Sequence, residues 1–327
     1  IGPLLSTCID ACQRGCNEIR RVQESRQKLA LEVELKDEKD PRSALTEADL
    51  AAQHAIIDSL RTVWGPSLHI VGEEEEEGSD TKTLTTTSPL RKDILEDDIP
   101  GDTEELDPND VTIFVDPLDG TREFVEGRLE NCQVLVGIAI GGEAVAGAMG
   151  IPFPTGHNLT SEATIVYGLD GLGTGTMGAP LTRGPWPLEH NIDGVKYPAP
   201  HFATGDKPAK PVAAAIDALT RNFGGSNIDT YGGAGNRILA ASLGEVACSL
   251  GHKVGGPWDL CAPEAIAKAS GASMTDLFGD PIDMYRRDSP KRNNERGFLV
   301  SPPGSGHNRI VSVVKTCPDV KAYKESV

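Results

Sequence analysis

The chain has 327 residues, of which 38% are hydrophobic and 24% charged, and this length is enough to bury a substantial core in one or two domains. Its formal net charge of −18 argues against a nucleic-acid polymer as partner, because such partners require a basic surface. No apolar run approaches the roughly 18–20 residues that span a bilayer, so a membrane is not expected as a partner either.

The predicted elements in the first part of the chain mix helices, strands and a hairpin. Residues 3–35 have helical periodicity, and a second helix is predicted to begin with Thr46 as its N-cap. Two strands are predicted next, at residues 67–72 and 111–115. They are followed by a hairpin at residues 132–151, whose turn contains two glycines.

The stretch 152–200 is rich in glycine and proline and is predicted to be loop-like. We place a boundary between two lobes inside it, which divides the chain into residues 1–157 and 158–327. Beyond it, the sequence predicts a strand near residues 196–206 and several helices. This order of elements predicts a layered α/β fold in which mixed sheets are sandwiched by helices.

Seven cysteines occur in the chain, and three of them, Cys8, Cys12 and Cys16, recur every four residues. We expect them to form a small buried apolar face of the first helix rather than a metal site, because histidine partners and a CxxC pair are missing. A reducing, intracellular compartment is expected, with the cytoplasm as the default. The chain starts at Ile1 rather than Met, so an organellar targeting segment that has been removed is an open alternative.

Two-thirds of the net charge lies in residues 73–110, where 15 Asp and Glu accompany only three basic residues, a local balance of −12. Most of this stretch, residues 75–110, is predicted to be a solvated, mobile loop. The sequence does not assign a role to it.

Four carboxylates share a position at or near the end of an apolar element: Glu73, Asp116, Asp119 and Asp259, the last predicted just ahead of a helix. Side chains at strand ends converge at one edge of a sheet, as they do in many α/β enzymes. Two carboxylates only three residues apart repel each other and raise each other's pKa unless a cation lies between them. Because the set offers oxygen ligands and neither His nor Cys, it predicts Mg²⁺ rather than zinc.

Gly120 and Thr121 directly follow the second of these aspartates. Glycine allows a tight turn with exposed backbone N–H groups, and Thr121 is predicted to cap a helix that starts near Arg122. Free amides at a helix N-terminus bind phosphate, and phosphate beside Mg²⁺ is the arrangement that metal-assisted phosphate hydrolysis requires. A second glycine loop, "GGAGNR" at 232–237, also precedes a helix, and its Arg237 can pair with a further anion.

A phosphatase with an aspartate nucleophile is the competing interpretation. Haloacid-dehalogenase-type enzymes carry their aspartates in the pattern D-x-D-x-T. Here the pattern is D-P-L-D-G-T, which places the second aspartate one residue too far along, so this interpretation does not fit.

Three separated motifs together resemble the inositol monophosphatase superfamily of Mg²⁺-dependent, lithium-sensitive phosphatases: "VGEE" (71–74), "DPLDGTREF" (116–124) and "WDLCAPEAI" (258–266). The resemblance runs from about residue 4 to about residue 315 and includes the upstream element "LTEAD" (45–49). It implies a two-lobed αβαβα fold of the sugar-phosphatase type. Leu118, where inositol monophosphatases typically carry Ile, and the third motif make the chain most similar to the 3′(2′),5′-bisphosphate nucleotidases.

The resemblance implies two or three bound Mg²⁺ ions, with Li⁺ and Na⁺ as inhibitors. For one ion the implied ligands are Glu73, Asp116 and the Leu118 carbonyl. For the second ion they are Asp116, Asp119 and Asp259. Glu74 is implied to position a water or a third, weaker ion.

The resemblance also implies the catalytic and substrate-binding residues. Thr121, hydrogen-bonded to Asp49, would orient and deprotonate a water that attacks phosphorus in line, without a phosphoenzyme. The implied substrate contacts are Gly120 and Thr121 for the scissile phosphate, Gly233 and Arg237 for another phosphate or the ribose, and Thr204 and Lys207 nearby.

One departure concerns residues 204–207, where the nucleotidases carry a Ser-His-type element near the adenosine. This chain has no histidine in register there, and His201 lies three positions early on the strand, where a structural role is expected. The expected substrate is still adenosine 3′,5′-bisphosphate, with its 5′-phosphosulfate as a further candidate. The departure keeps an inositol phosphate open as the alternative substrate.

A non-catalytic phospho-ligand-binding protein on the same scaffold is the third hypothesis. The complete acidic set argues against it, since a degenerate relative would have lost at least one member. The choice between monomer and dimer stays open.

Overall fold

The computed structural model describes residues 1–32, 41–73, 88–99, 106–156, 159–184, 190–192, 195–197, 201–224, 227–288 and 293–327. Its helices are α1 (Gly2–Glu32), α2 (Pro41–Trp64), α3 (Thr121–Val125), α4 (Lys210–Phe223), α5 (Ala234–Ser242), α6 (Pro257–Ala269), α7 (His307–Thr316) and α8 (Pro318–Lys324), with a 3₁₀ turn at Leu129–Asn131. Its strands are β1 (His69–Gly72), β2 (Val111–Asp119), β3 (Gln133–Ile140), β4 (Glu143–Ile151), β5 (Thr164–Leu169), β6 (Gly173–Gly178), β7 (His190–Ile192), β8 (Val195–Tyr197), β9 (His201–Thr204), β10 (Asn227–Thr230), β11 (Cys248–Gly251), β12 (Ser273–Thr275) and β13 (Phe298–Ser301).

The first sheet has six strands in the order β1–β2–β3–β4–β5–β6. β1 runs parallel to β2, and each later pair is antiparallel. β2 is buried along its whole length because helices cover both faces of the sheet, which explains its nearly continuous apolar sequence. Ile113 and Val115 pack in the cluster with α1 and α2, whereas Phe114 packs on the opposite side with α6.

The second sheet has five strands in the order β10–β9–β11–β13–β12. β10, β9 and β11 are parallel, and β13 and β12 are antiparallel to their neighbours. α5 and α6 lie between the two sheets, while α4, α7 and α8 pack on the outer face of the second sheet. The layers therefore follow the order αβαβα, which confirms the predicted fold class.

Two sequence predictions on chain organisation need correction. The stretch 152–200 is not loop-like throughout, because β5 and β6 lie within it and pair with the first sheet through backbone hydrogen bonds that do not depend on bulky side chains. Strand pairing therefore favours a boundary after Gly178 over one at residue 157, and the division into two lobes stays a proposal. Thr46 is not an N-cap, since α2 already begins at Pro41, and proline is favoured at the first position of a helix.

The cysteine face of α1 is buried as predicted. Cys8, Cys12 and Cys16 have no exposed surface, and all seven cysteines of the chain are buried free thiols. Burial raises the pKa of Cys8 and Cys12, so their thiols stay protonated and pack as small apolar groups. Among the described helices, none combines the length and the apolar character needed to cross a bilayer.

A row of three glycines determines how closely α6 approaches the first sheet. Gly137 pairs with Gly147, which in turn pairs with Gly168, so the three lie side by side on β3, β4 and β5. A Cβ at Gly147 would lie 2.7 Å from the Cα of Ala262, and one at Gly137 would lie 2.6 Å from the Ala262 amide nitrogen. The backbone of α6 therefore rests directly on the sheet at this row.

Candidate metal centre and substrate cleft

Asp116 and Asp119 lie in the last part of β2, where the strand departs from regular pairing. In a regular strand, side chains three residues apart point to opposite faces of the sheet. Here Asp116 pairs with Leu135 and Asp119 with Gln133, so β2 advances by one more residue than its partner. Such a bulge re-aims a side chain, and it lets both carboxylates reach one place. The Leu118 amide fixes the first of them by donating to Asp116 Oδ1 at 2.9 Å.

Asp259 joins these two aspartates from the first turn of α6. Its Oδ2 accepts a hydrogen bond of 2.7 Å from the Gly256 amide at the start of the helix. The predicted position just ahead of a helix is wrong, because the helix already begins at Pro257. Within the described residues, ligand oxygens of Asp116, Asp119 and Asp259 all lie within 4.8 Å of one another, so the three could hold a metal ion together.

Gly147→Ala is expected to disturb this arrangement through α6. The added Cβ meets backbone atoms of Ala262, so the helix that carries Asp259 must shift, and overpacking of this kind costs about 1–3 kcal/mol of the free energy of unfolding. We also expect the group of three aspartates to bind a divalent cation more weakly, with Mg²⁺ as the probe. Chemical denaturation and a Mg²⁺ titration measure the two effects.

Gly184→Ala is the matched control for that variant, since a Cβ at Gly184 meets no atom within 4 Å and its φ is not positive. It should leave both measurements unchanged. A Gly147→Ala protein as stable as the wild type would show that α6 does not need the glycine row.

Glu73 reaches the cluster from the neighbouring strand. β1 pairs Gly72 with Val115, and the Glu73 amide donates to the Val115 carbonyl at 3.0 Å, so Glu73 lies beside the next residue of β2, Asp116. The charge of Glu73 and a hydrogen bond from its side chain both act on Asp116. Glu73 therefore lies beside Asp116, next to the group of three aspartates rather than within it.

Burial and repulsion from neighbouring carboxylates raise the pKa of Asp116 and Asp259. Burial is the largest cause at Asp116, followed by the charges of Glu73 and Asp259. Burial also raises the pKa of Asp259, to about 8, and the charges of Asp119 and Glu73 add to the rise. A divalent cation between the carboxylates replaces this repulsion by attraction, and a set of oxygen ligands alone fits Mg²⁺.

Asp119 also connects the cluster to α5. Its Oδ1 accepts from the Ala234 amide at 3.0 Å and its Oδ2 from the Gly235 amide at 2.8 Å, and these bonds offset part of the rise in pKa that burial causes. Gly233 has a φ of 73°, and a Cβ there would lie 2.7 Å from Asp119 Oδ2. The loop "GGAGNR" thus packs against the cluster itself. The sequence does not reveal this contact, because its partners are 115 positions apart.

The turn after Asp119 differs by one residue from the prediction. Gly120 has a φ of 86°, in the left-handed region that favours glycine, and it is the N-cap of α3. Thr121 is therefore the first residue of the helix rather than its cap. Because glycine adopts the non-helical backbone that the cap position needs, the helix begins earlier than predicted.

Two further predicted residues lie near the cluster. Leu118 is buried between the two aspartates of β2. Asp49 is buried on α2, and its charge acts on Cys132, a thiol whose pKa is raised by burial first and then by Asp119 and other acids. A contact between Asp49 and Thr121 stays a prediction. Glu74 and the greater part of the acidic loop 75–110 lie outside the described residues.

A cleft of about 560 Å³ opens beside the cluster. Of the predicted site residues, those that line it are Gly120, Thr121, Gly233, Arg237 and Asp259. Thr204 and Lys207 are absent from its lining in the described part of the chain: Thr204 is buried at the end of β9, and Lys207 is exposed. Gly205 and Asp206 line the cleft in their place.

Four cationic side chains line this cleft: Arg122, Arg128, Arg237 and Lys253. Arg128 donates twice to Glu123, at 2.6 and 2.8 Å, and Lys253 pairs with Glu295. Arg237 is partly buried, forms no ion pair with another described residue, and has a buried Nε without a hydrogen-bond partner. Of these four cations, Arg237 is therefore the one without a direct carboxylate partner among the described residues. Of these four cations, sequence reasoning assigned a substrate contact only to Arg237.

Comparisons with known proteins agree with this geometry. The model of the inositol monophosphatase family matches residues 3–319. The protein 3′(2′),5′-bisphosphate nucleotidase 1 of Dictyostelium discoideum is 32% identical over 325 residues, which cover 95% of this chain and 96% of that protein. The human protein of the same name is 32% identical over 262 residues, or 78% of each.

Among solved structures, inositol monophosphatase II from Staphylococcus aureus has a TM-score of 0.64 at 20% identity. The match covers 97% of this chain and 94% of that one. At this level of identity the likeness concerns the fold, and it agrees with the αβαβα layers described above.

Proposed function

Because the chain belongs to the inositol monophosphatase family, as its three motifs predict, we propose that it hydrolyses the 3′-phosphate of adenosine 3′,5′-bisphosphate with the help of Mg²⁺. The observation that carries the proposal is the convergence of Asp116, Asp119 and Asp259 beside a cleft with cationic side chains. The names of the Dictyostelium and human relatives favour a nucleotide over an inositol phosphate.

The proposed metal ligands form two sets that share Asp116. One set is Glu73, Asp116 and the Leu118 carbonyl; the other is Asp116, Asp119 and Asp259. The burial of Asp116 and Asp119 supports this assignment, since buried carboxylates need compensation by a cation. Mg²⁺ held by these residues would supply that compensation, would favour deprotonation of the attacking water and would stabilise the charge on the leaving oxygen.

We propose that Thr121 and Asp49 together take up the proton that the attacking water loses. Thr121 lines the cleft, so its hydroxyl can accept a proton from the water while passing its own to a neighbouring carboxylate. Asp49 is only 5% exposed, which keeps water from competing for that carboxylate. The water oxygen then forms its bond to phosphorus as the bond to the 3′-oxygen breaks.

The two phosphates of the substrate are assigned to different parts of the cleft. The amides of Gly120 and Thr121 hold the scissile phosphate next to the metal ligands, in a turn that the positive φ of Gly120 permits. Gly233 and Arg237 face the second phosphate or the ribose, and the unpartnered Nε of Arg237 supports an anion there. Thr204 and Lys207 stay proposed contacts to the nucleoside, although neither belongs to the described lining of the cleft.

Phosphate release from four substrates tests the proposal: adenosine 3′,5′-bisphosphate, inositol 1,4-bisphosphate, inositol 1-phosphate and fructose 1,6-bisphosphate. Each is assayed with Mg²⁺, with and without Li⁺, and the adenosine compound is expected to be preferred and its hydrolysis to be inhibited by Li⁺. Hydrolysis of the inositol compounds alone would overturn the nucleotide assignment. No hydrolysis at all would favour a phospho-ligand-binding protein.

Arg237→Met is expected to lower kcat/KM for adenosine 3′,5′-bisphosphate by about 10–100-fold, the value of a hydrogen bond to a charged group. Arg237→Lys keeps the charge and should lose less. Adenosine 3′-monophosphate, which lacks the second phosphate, serves as the comparison substrate. An equal loss on both substrates would show that Arg237 supports the fold of the site rather than the second phosphate.

A further inference from the structure

An ion pair crosses the substrate cleft between parts of the chain that are 84 positions apart. Arg122 Nη1, on α3, donates to Asp206 Oδ2, in the loop after β9, at 2.7 Å. Both residues line the cleft. The pair is about half exposed, with 54% of the Arg122 side chain and 47% of the Asp206 side chain accessible. An exposed pair of this kind contributes only about 0–1 kcal/mol, so a ligand can displace it.

A second guanidinium, that of Arg237, lies next to the loop that carries Asp206. A Cβ on Gly205, the residue before it, would lie 2.8 Å from Arg237 Nη1, so Arg237 reaches the same loop. Burial lowers the pKa of Arg237. The negative charges of nearby carboxylates, Asp206 among them, raise it again in part. Asp206 therefore lies in the field of two arginines that come from separate elements, α3 and α5.

The other two carboxylates that line the cleft have different partners. Asp259 belongs to the metal cluster, and Glu123 is held by the two hydrogen bonds from Arg128. Within the described lining, Asp206 is thus the carboxylate held only by a pair that solvent reaches.

We propose that Asp206 is a placeholder for the second phosphate of the substrate, and that Arg122 and Arg237 together form the subsite which that phosphate enters. The inference rests on the proposed function, because it requires a substrate with two phosphates. A phosphate monoester carries about −1.5 to −2 charges and three acceptor oxygens, so it satisfies two guanidiniums better than one carboxylate does. On binding, Arg122 exchanges Asp206 for the phosphate, and the carboxylate turns toward solvent.

The proposal predicts opposite changes in phosphate affinity for substitutions of Asp206 and of Arg122. Asp206→Asn removes the competing charge and should tighten the binding of adenosine 5′-monophosphate, which carries only the second phosphate, by about tenfold. Arg122→Met removes a charged donor and should weaken the same binding by about tenfold. Isothermal titration calorimetry on the full chain with Mg²⁺ measures both dissociation constants.

Glu126→Gln is the matched control. Glu126 accepts from Nε of the same Arg122 at 2.7 Å but is not part of the cleft lining in the described chain. It should change the dissociation constant by less than twofold. If Glu126→Gln tightens binding as much as Asp206→Asn does, the higher affinity results from the loss of any negative charge beside Arg122. The proposal that Asp206 occupies the place of the phosphate would then be wrong.

Kinetics supply an independent measurement. Arg122→Met should lower the ratio of kcat/KM for adenosine 3′,5′-bisphosphate to that for adenosine 3′-monophosphate. An unchanged ratio, or no change in 5′-monophosphate affinity in either variant, would overturn the inference. A wild-type protein that hydrolyses neither compound would contradict the proposed function instead, while calorimetry would still decide the subsite.

Discussion

Asp116→Asn is expected to lower kcat/KM for adenosine 3′,5′-bisphosphate by about 10³-fold or more, because bound metal contributes several kcal/mol and each 1.36 kcal/mol is a factor of ten. Asp116 is the ligand that both proposed metal sites share. The charges of Glu73, Asp259 and Asp119 all raise its pKa, so Asp116 lies close to each of the other three carboxylates. Initial rates at saturating Mg²⁺ measure the loss.

The same substitution should leave the fold intact without metal. An amide oxygen can still accept the hydrogen bond from the Leu118 amide that Asp116 Oδ1 accepts at 2.9 Å. Removal of one buried charge also relieves repulsion, so in EDTA the melting temperature should stay the same or rise. Mg²⁺ should stabilise the wild type through binding to the native state and should stabilise the variant much less.

Asp217→Asn, a neutralisation of an exposed acid on α4, is the control for that experiment. It should leave both activity and the stabilisation by Mg²⁺ unchanged. Near-normal hydrolysis by Asp116→Asn would refute the metal assignment, whatever its stability.

Thr121→Val should lower kcat by about 10²–10⁴-fold, which is the usual contribution of general acid–base catalysis. The Mg²⁺ concentration that gives half of the maximal rate should change little. Valine keeps the shape of the side chain at the first position of α3 and removes only the hydroxyl. Thr121→Ser retains the hydroxyl and should keep most of the activity. Rates across a Mg²⁺ titration separate the loss of a proton acceptor from the loss of a metal.

Asp49→Asn should produce a loss of similar size, since the proposed role of Asp49 is exerted through Thr121. Residues that act as a unit have non-additive effects, so the double variant should be no slower than the slower single variant. Losses that multiply would show that Asp49 and Thr121 act independently, and the proposed proton transfer between them would be wrong.

Much of the candidate metal site could be predicted from the sequence because its signals are local. The short spacing of Asp116 and Asp119, the glycine that follows, and acids at the ends of apolar runs all stand in short stretches. Since oxygen ligands without His or Cys limit the choice of metal, the type of chemistry followed from residue identity. The three motifs also predicted the family, which the family match confirms.

The predictions failed where backbone conformation at a boundary decides the outcome. Thr121 and Asp259 lie inside helices rather than ahead of them, because Gly120 and Pro257 start those helices. β6 forms from a glycine-rich stretch because its neighbour β5 supplies the backbone partners that a local pattern does not reveal.

The sequence by itself determined the types of candidate metal ligand, the family and the order of layers, since these depend on which residues follow one another. Only the tertiary structure decided which charges meet. The bulge in β2 turns two aspartates to one side, the glycine row lets α6 bring Asp259 to them, and α5 supplies amides to Asp119. It also places Asp206 against Arg122, across 84 positions of the chain. The physical reason is that electrostatic interaction depends on distance in space, which the packing of sheets and helices sets for residues remote in sequence.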